Sequence, residues 1–243
     1  AHTIDVALPL GISFYTFQIM SYIIDVYRKK YPAGRNLIEV AAYISMFPQL
    51  IAGPIVTFDE VQPRLRERKI SPANIENGLL LFVVGLVYKV MLANQIAALW
   101  NDVMVAGVMG INTATAWLGA WGYSMQIYFD FLGYSLMAIG MGYMLGFRFP
   151  KNFSNPYCAV SVTDFWRRWH ITLGRWFREY VYIPLGGNKK GKFRLVINTF
   201  IVWFLTGLWH GAAWNFIIWG MFFFILMMLE KFIYLRFLEK HPI

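Results

Sequence analysis

Two histidines, His170 and His210, are the residues of this sequence best placed for chemistry. An imidazole gains or loses its proton near physiological pH, so it serves as acid, base or nucleophile. His210 stands in Leu208-Trp209-His210-Gly211-Ala212-Ala213-Trp214-Asn215, inside the stretch Leu195 to Leu229, which holds no Asp, Glu, Lys or Arg in 35 residues. A polar ring there lies at membrane depth or at a tight break between two helices, and either place is costly for a group without a task. Burial disfavours the charged ring, so this histidine is expected to be a buried general base or a transient acyl acceptor. The structural alternative is a ring that only bonds a backbone carbonyl. His170 closes Phe165-Trp166-Arg167-Arg168-Trp169-His170, and reads either as an incidental histidine of a surface anchor or as a ring that orients or assists His210. His2 and His241, near the two ends of the chain, read as solvated.

Asp130 and Lys89 are the other ionisable residues inside apolar runs. Unpaired they would be expensive, so they are expected to pair with each other, or Asp130 with an arginine near Trp166, while Lys89 could instead reach the interface. A metal site is not expected. The sequence has no His-Glu-x-x-His stretch, and its one cysteine, Cys158, rules out a Cys-based zinc set and an internal disulfide. A Walker loop and a Gly-x-Ser-x-Gly elbow are absent too. Gly186-Gly187-Asn188-Lys189-Lys190-Gly191-Lys192 has no strand before it and reads as a turn in a basic loop.

The elements that must hold these residues are membrane helices. Only 14% of the 243 residues are charged, against about 25% in soluble domains, and 58% are hydrophobic. Val103 to Phe147 carries a single charge, Asp130, in 45 residues, room for two passes of about 20 residues each. The net charge of +9 is therefore assigned to membrane topology and not to nucleic acid. Candidate segments fall near 7–27, 37–57, 75–99, 113–129, 131–147, 195–209 and 212–233, seven at most. The second is interrupted by Pro48, Gly53 and Pro54 and is flanked on both sides by basic residues: Arg28, Lys29, Lys30 and Arg35 before it, Arg64, Arg66, Arg68 and Lys69 after it. It is expected to turn back to the side it came from.

Ser161 to Leu185 differs from these. Ser161 and Asp164 have capping-box spacing. At about 100° per residue Trp166, Trp169, Leu173, Trp176, Phe177 and Tyr180 share one arc, with Arg167, Arg168, Arg175 and Arg178 opposite and His170 on the border. One interfacial amphipathic helix is expected over 161–185. The fold class is all-α and polytopic, a single membrane-embedded domain over 1–243 with no linker. Because the chain begins at Ala1 with no secretory signal, it is expected to be part of a longer protein.

Six blocks resemble the membrane-bound O-acyltransferases, specifically their alginate O-acetyltransferase branch. They are Leu8-Pro9-Leu10-Gly11-Ile12-Ser13-Phe14-Tyr15-Thr16-Phe17-Gln18, Phe47-Pro48-Gln49-Leu50-Ile51-Ala52-Gly53-Pro54-Ile55, Tyr128-Phe129-Asp130-Phe131 with Gly133-Tyr134-Ser135, Phe165 to His170, Tyr182-Ile183-Pro184-Leu185-Gly186-Gly187, and Gly207-Leu208-Trp209-His210-Gly211. The resemblance implies a helical bundle of about ten or more helices around a tunnel. His210 would be catalytic with His170 in support, and Trp166, Arg168, Trp169, Trp209, Asn215 and Asp130 would line the substrate path. Family members run to nearly twice this length, which implies that N- and C-terminal helices are missing. Many alginate-type members carry an acid after Gly-Tyr-Ser, where this chain has Leu136.

The function so implied is transfer of an acetyl group from a cytoplasmic thioester, acetyl-CoA or similar, toward an extracytoplasmic polysaccharide such as alginate. The enzyme would be multi-pass in the cytoplasmic (inner) membrane, with no bound cofactor, the bilayer and the polysaccharide as its partners, and periplasmic acetyltransferases completing the modification. Alternatives are D-alanyl transfer to teichoic acid, a transporter using Lys89 and Asp130, and a non-catalytic scaffold of a polysaccharide export complex. The Ile-Pro-Leu-Gly-Gly block favours acetyl over D-alanyl transfer.

Overall fold

A computed structural model of the chain describes residues 11–235 and 237; the side chain of Val108 is left aside. The Leu8-Pro9-Leu10 part of the first block, the start of the 7–27 segment, His2 and His241 lie outside the described residues. Among those described the structure is helical, without strands, and the chain divides into two compact units, Ala1–Lys151 and Asn152–Ile243.

The first unit opens with α1 (Ile12–Tyr27), entered through Gly11 at φ +77°, where a β-carbon would lie 2.2 Å from the Leu50 carbonyl oxygen. Only glycine fits there. Next comes α2 (Leu37–Ile44), whose first turn is capped by the Asn36 side chain accepting from the Ile38 N–H at 2.9 Å. Eight residues reach about 12 Å, far short of a bilayer core. The chain then turns through Pro48 to Pro54 and enters α3 (Phe58–Arg66) through a Thr57–Glu60 capping box. Tyr43, Val56, Phe58 and Val61 close the core beneath this turn, with the Tyr43 hydroxyl donating to the Val56 carbonyl at 2.9 Å.

The two basic flanks are tied together. Lys30 pairs with Asp25 at 3.2 Å and with Asp59 at 3.1 Å, and Arg66 grips Glu39 through two bonds of 2.8 and 3.0 Å. The segment over 37–57 is therefore a helix and a return, as its prolines and its charges indicate.

Pro72 then starts α4 (Pro72–Val87), which runs through a π-helical turn (Tyr88–Ala93) into α5 (Asn94–Gly110). The segments expected at 113–129 and 131–147 are one helix, α6 (Thr113–Met144), 32 residues long. Asp130 does not break it, because its carboxylate pairs with Lys89. α4 and α6 touch through glycines: a β-carbon on Gly78 would lie 2.6 Å from Gly140 O, and one on Gly85 2.5 Å from Gly133 O.

In the second unit the expected single helix over 161–185 is corrected. It is two short helices, α7 (Val162–Arg168) and α8 (Ile171–Phe177), followed by a π-helical turn (Arg178–Tyr182). The break falls at His170, whose backbone is left-handed at φ +45°. Ser161 caps α7 as its spacing indicates, accepting from the Asp164 N–H at 3.1 Å. Leu173, Trp176, Phe177 and Tyr180, the part of the apolar arc that follows the break, are buried.

α9 (Gly191–His210) and α10 (Trp214–Leu229) form a close antiparallel pair, α10 running on into a π-helical turn (Glu230–Tyr234). A β-carbon on Gly220 would stand 2.5 Å from Trp203 O. Asn198, fully buried on α9, donates to the carbonyls of Leu185 at 3.2 Å and Gly187 at 2.9 Å, fastening the Ile-Pro-Leu-Gly-Gly turn to this helix. Three helical stretches among the described residues are long and apolar enough to cross a membrane: Pro72–Gly107, Gly191–His210 and Trp214–Tyr234. The chain is a multi-pass membrane protein.

Candidate functional site

α9 ends on His210 because the next residue, Gly211, takes an extended backbone (φ 165°, ψ 153°) that cannot continue the helix. The ring is held by aromatic neighbours: its centroid lies 4.7 Å from that of Trp209 and 4.9 Å from that of Trp219, both edge-on, with Phe216 stacked at 6.3 Å. The expectation of a buried His210 is corrected. His210 is the exposed histidine and His170 the buried one, only 5% accessible.

His170 sits in the hinge between α7 and α8, and the strand of chain before α7 holds that hinge in place. Ser154 N–H donates to Arg168 O at 2.9 Å, and Ile171 N–H to Asn152 O at 2.9 Å. The Asn152 side chain, 1% accessible, places its Oδ1 3.1 Å from His170 Nδ1, 3.0 Å from Thr172 Oγ1 and 3.3 Å from Thr172 N. Burial pushes the His170 imidazole down to about 3, with the charge of His210 acting in the same direction. The ring is therefore neutral at physiological pH. Its centroid lies 6.2 Å from that of Trp209. One indole, Trp209, thus neighbours both imidazoles.

The remaining expected residues are distributed unevenly around this centre. Trp166 packs edge-on against Trp203 at 4.8 Å, Phe223 at 4.8 Å and Trp219 at 5.8 Å, and Trp219 links it to His210. Trp169 stacks on Phe165 at 5.7 Å and meets Phe153 edge-on at 5.1 Å. Arg168 is bound to Asp164 at 2.9 Å within α7. Asn215 is exposed in the first turn of α10. Asp130 belongs to the first unit and is occupied by Lys89. Among the described residues no three His, Cys, Asp or Glu side chains gather as a metal set.

Three residues outside the sequence expectations share in the site. Asn152 and Trp219 carry no signal that separates them from other asparagines and tryptophans of the chain. Glu230, 6% accessible, accepts from the Thr163 N–H at 2.9 Å and so ties the start of α7 to the end of α10. Its signal was present: it is the first charge after the 35-residue uncharged run.

The family model for MBOAT, the membrane-bound O-acyltransferase family, matches residues 29–241. The chain belongs to the membrane-bound O-acyltransferase family. Among relatives of this family it is 49% identical to the probable alginate O-acetylase AlgI of Pseudomonas putida over 215 residues, 88% of this chain and 44% of that protein. It is 39% identical to the peptidoglycan O-acetyltransferase of Helicobacter pylori, over 90% of this chain and 46% of that one. It is 30% identical to the teichoic acid D-alanyltransferase of Bacillus subtilis, over 90% of this chain and 58% of that one. The chain thus spans rather less than half the length of the O-acetylase relatives it matches.

Proposed function

We propose that this chain carries the histidine centre of a membrane O-acetyltransferase, which takes acetyl from a cytoplasmic thioester such as acetyl-CoA and passes it toward an extracytoplasmic polysaccharide such as alginate. The observation that carries the proposal is the convergence of His170, Trp209 and His210, 40 residues apart in sequence at their extremes. His210, the accessible ring, takes the proton of an acceptor hydroxyl. The oxygen attacks the thioester carbonyl, the C–S bond breaks, and the proton passes to the departing thiolate. If His210 is itself acylated first, the same atoms move in two steps. His170, buried and neutral, orients this chemistry without supplying a proton of its own. Acetyl is preferred to D-alanyl because identity to the two O-acetylating relatives is 49% and 39%, against 30% to the D-alanyltransferase. The location is the cytoplasmic membrane, and periplasmic acetyltransferases finish the modification of the polymer.

The test replaces His210 by Ala in the full-length protein and follows labelled acetyl from acetyl-CoA into polymer in membranes. Removal of a general base should cost about 10²- to 10⁴-fold in rate with membrane insertion intact. Unchanged polymer acetylation would end the assignment and leave the transporter and scaffold alternatives standing.

A further inference from the structure

Asn152 touches three polar groups with one atom, and one of those groups settles the chemistry of the other two. The backbone N–H of Thr172, second residue of α8, is a donor under all conditions and lies in a first turn whose N–H groups have no partner within the helix. The Asn152 atom 3.3 Å from it must therefore be the carbonyl oxygen and not the amide nitrogen. This fixes which way the amide faces, a point that the side chain's own outline cannot decide. The same oxygen lies 3.1 Å from His170 Nδ1, and two acceptors do not bond each other, so Nδ1 carries the hydrogen. In a neutral imidazole the lone pair is then on Nε2. The Thr172 hydroxyl, at 3.0 Å, adds a third donor to the oxygen. Asn152 Nδ2, by contrast, meets no acceptor among the described residues, so the orientation is held entirely from the oxygen side.

The clamp also acts on the backbone. Asn152 O accepts from Ile171 N–H at 2.9 Å, so a single residue receives the first two N–H groups of α8 and the ring at its cap. His170 stands there in a left-handed conformation that a non-glycine residue adopts only when its surroundings impose it.

We infer that Asn152 is a positioning residue that holds His170 as the Nδ1–H tautomer, so that the ring offers Nε2 as a hydrogen-bond acceptor beside Trp209. The hydrogen on Nδ1 stands on geometry and the neutral ring on its burial; the use of the tautomer in acyl transfer rests on the function proposed above.

Two measurements separate these claims. Nitrogen-15 NMR of the histidine-labelled 243-residue chain in lipid nanodiscs, with the His170 signals assigned through His170→Gln, reads the tautomer without any activity. A protonated Nδ1 and a bare Nε2 are expected in the unmodified chain, with the tautomer redistributed in Asn152→Leu and restored in Asn152→Asp, whose carboxylate accepts the same hydrogen. An Nε2–H ring in the unmodified chain, or an unchanged ring in Asn152→Leu, would overturn the inference. If Asn152→Leu does not fold, the unmodified chain and Asn152→Asp decide. In the full-length protein Asn152→Leu should lower kcat for acetyl transfer by about 10²-fold with the KM for the thioester little changed. Asn152→Asp should recover part of the rate, with the acid limb of the pH profile moved to higher pH by the added carboxylate. An Asn152→Leu enzyme with full kcat overturns the catalytic use of the tautomer. Absence of acetyl transfer in the unmodified enzyme counts against the proposed function and leaves the NMR result standing.

Discussion

His170 and His210 neighbour one indole and yet occupy different environments, and the difference has a consequence for stability. In the folded chain burial holds the His170 imidazole at about 3, whereas an unfolded histidine titrates near 6.5. Between these values the unfolded chain binds a proton that the folded chain refuses, so stability is full above about pH 6.5 and declines as pH falls toward 3. The slope is at most about 1.4 kcal/mol per pH unit. His210 is the titratable neighbour acting on the ring, in the same direction as burial. Thermal melts in detergent from pH 7.5 to pH 5 should show the chain losing stability faster than its His170→Gln variant. Parallel curves would contradict the burial assigned to this ring. The sequence singled out both histidines, His210 from its uncharged surroundings and His170 from the border of an apolar arc, but not which of them is buried. Asn152 was not singled out, because nothing local distinguishes it from Asn155, three residues on, which has no such role; its importance comes from where the chain before α7 passes.

At the scale of elements, periodicity located apolar faces correctly and misjudged continuity. A constant 100° per residue cannot register one left-handed residue, so 161–185 read as one helix while the backbone turns at His170. The same blindness divided α6 at Asp130, since a charge in an apolar run looks like a terminus until its partner is known, and Lys89 lies 41 residues away in sequence. The contact of α4 with α6 depends on absent side chains, as membrane helices that approach through small residues do. A β-carbon on Gly85 would meet Gly133 O at 2.5 Å and Met137 N at 2.8 Å, both backbone atoms that cannot move aside. Gly85→Ala should therefore force the helices apart and cost about 1–3 kcal/mol. Gly110→Ala is the control, because its β-carbon would meet only Ala106 Cβ, at 3.5 Å. Melting temperatures of the two variants in one detergent compare them directly; equal values would show that this contact does not hold the first unit together.

At the scale of the whole chain, composition assigned the solvent before any motif was considered: 14% charged residues cannot cover a soluble surface of this length, and uncharged runs of 35 residues need lipid. The number of crossings was less legible, since a hydrophobic run states only that it avoids water and not whether it crosses. Charge supplies the missing constraint for residues 37–57. Crossing the bilayer would put its two basic flanks on opposite sides, whereas the Lys30–Asp59 and Arg66–Glu39 pairs join them at one end of the first unit. With α2 only eight residues long, the return through Pro48 to Pro54 is made inside protein, where neighbours can satisfy the backbone groups that the prolines release. Basic flanks favour the cytoplasm, so accessibility of both from that side is the expected outcome. In a Cys158→Ser background, single cysteines at Arg35 and Lys69, both exposed, should react with a membrane-impermeant maleimide only in inside-out vesicles. Reaction of the two positions from opposite sides would mean that 37–57 crosses after all, and that the ion pairs joining its flanks do not form in the bilayer.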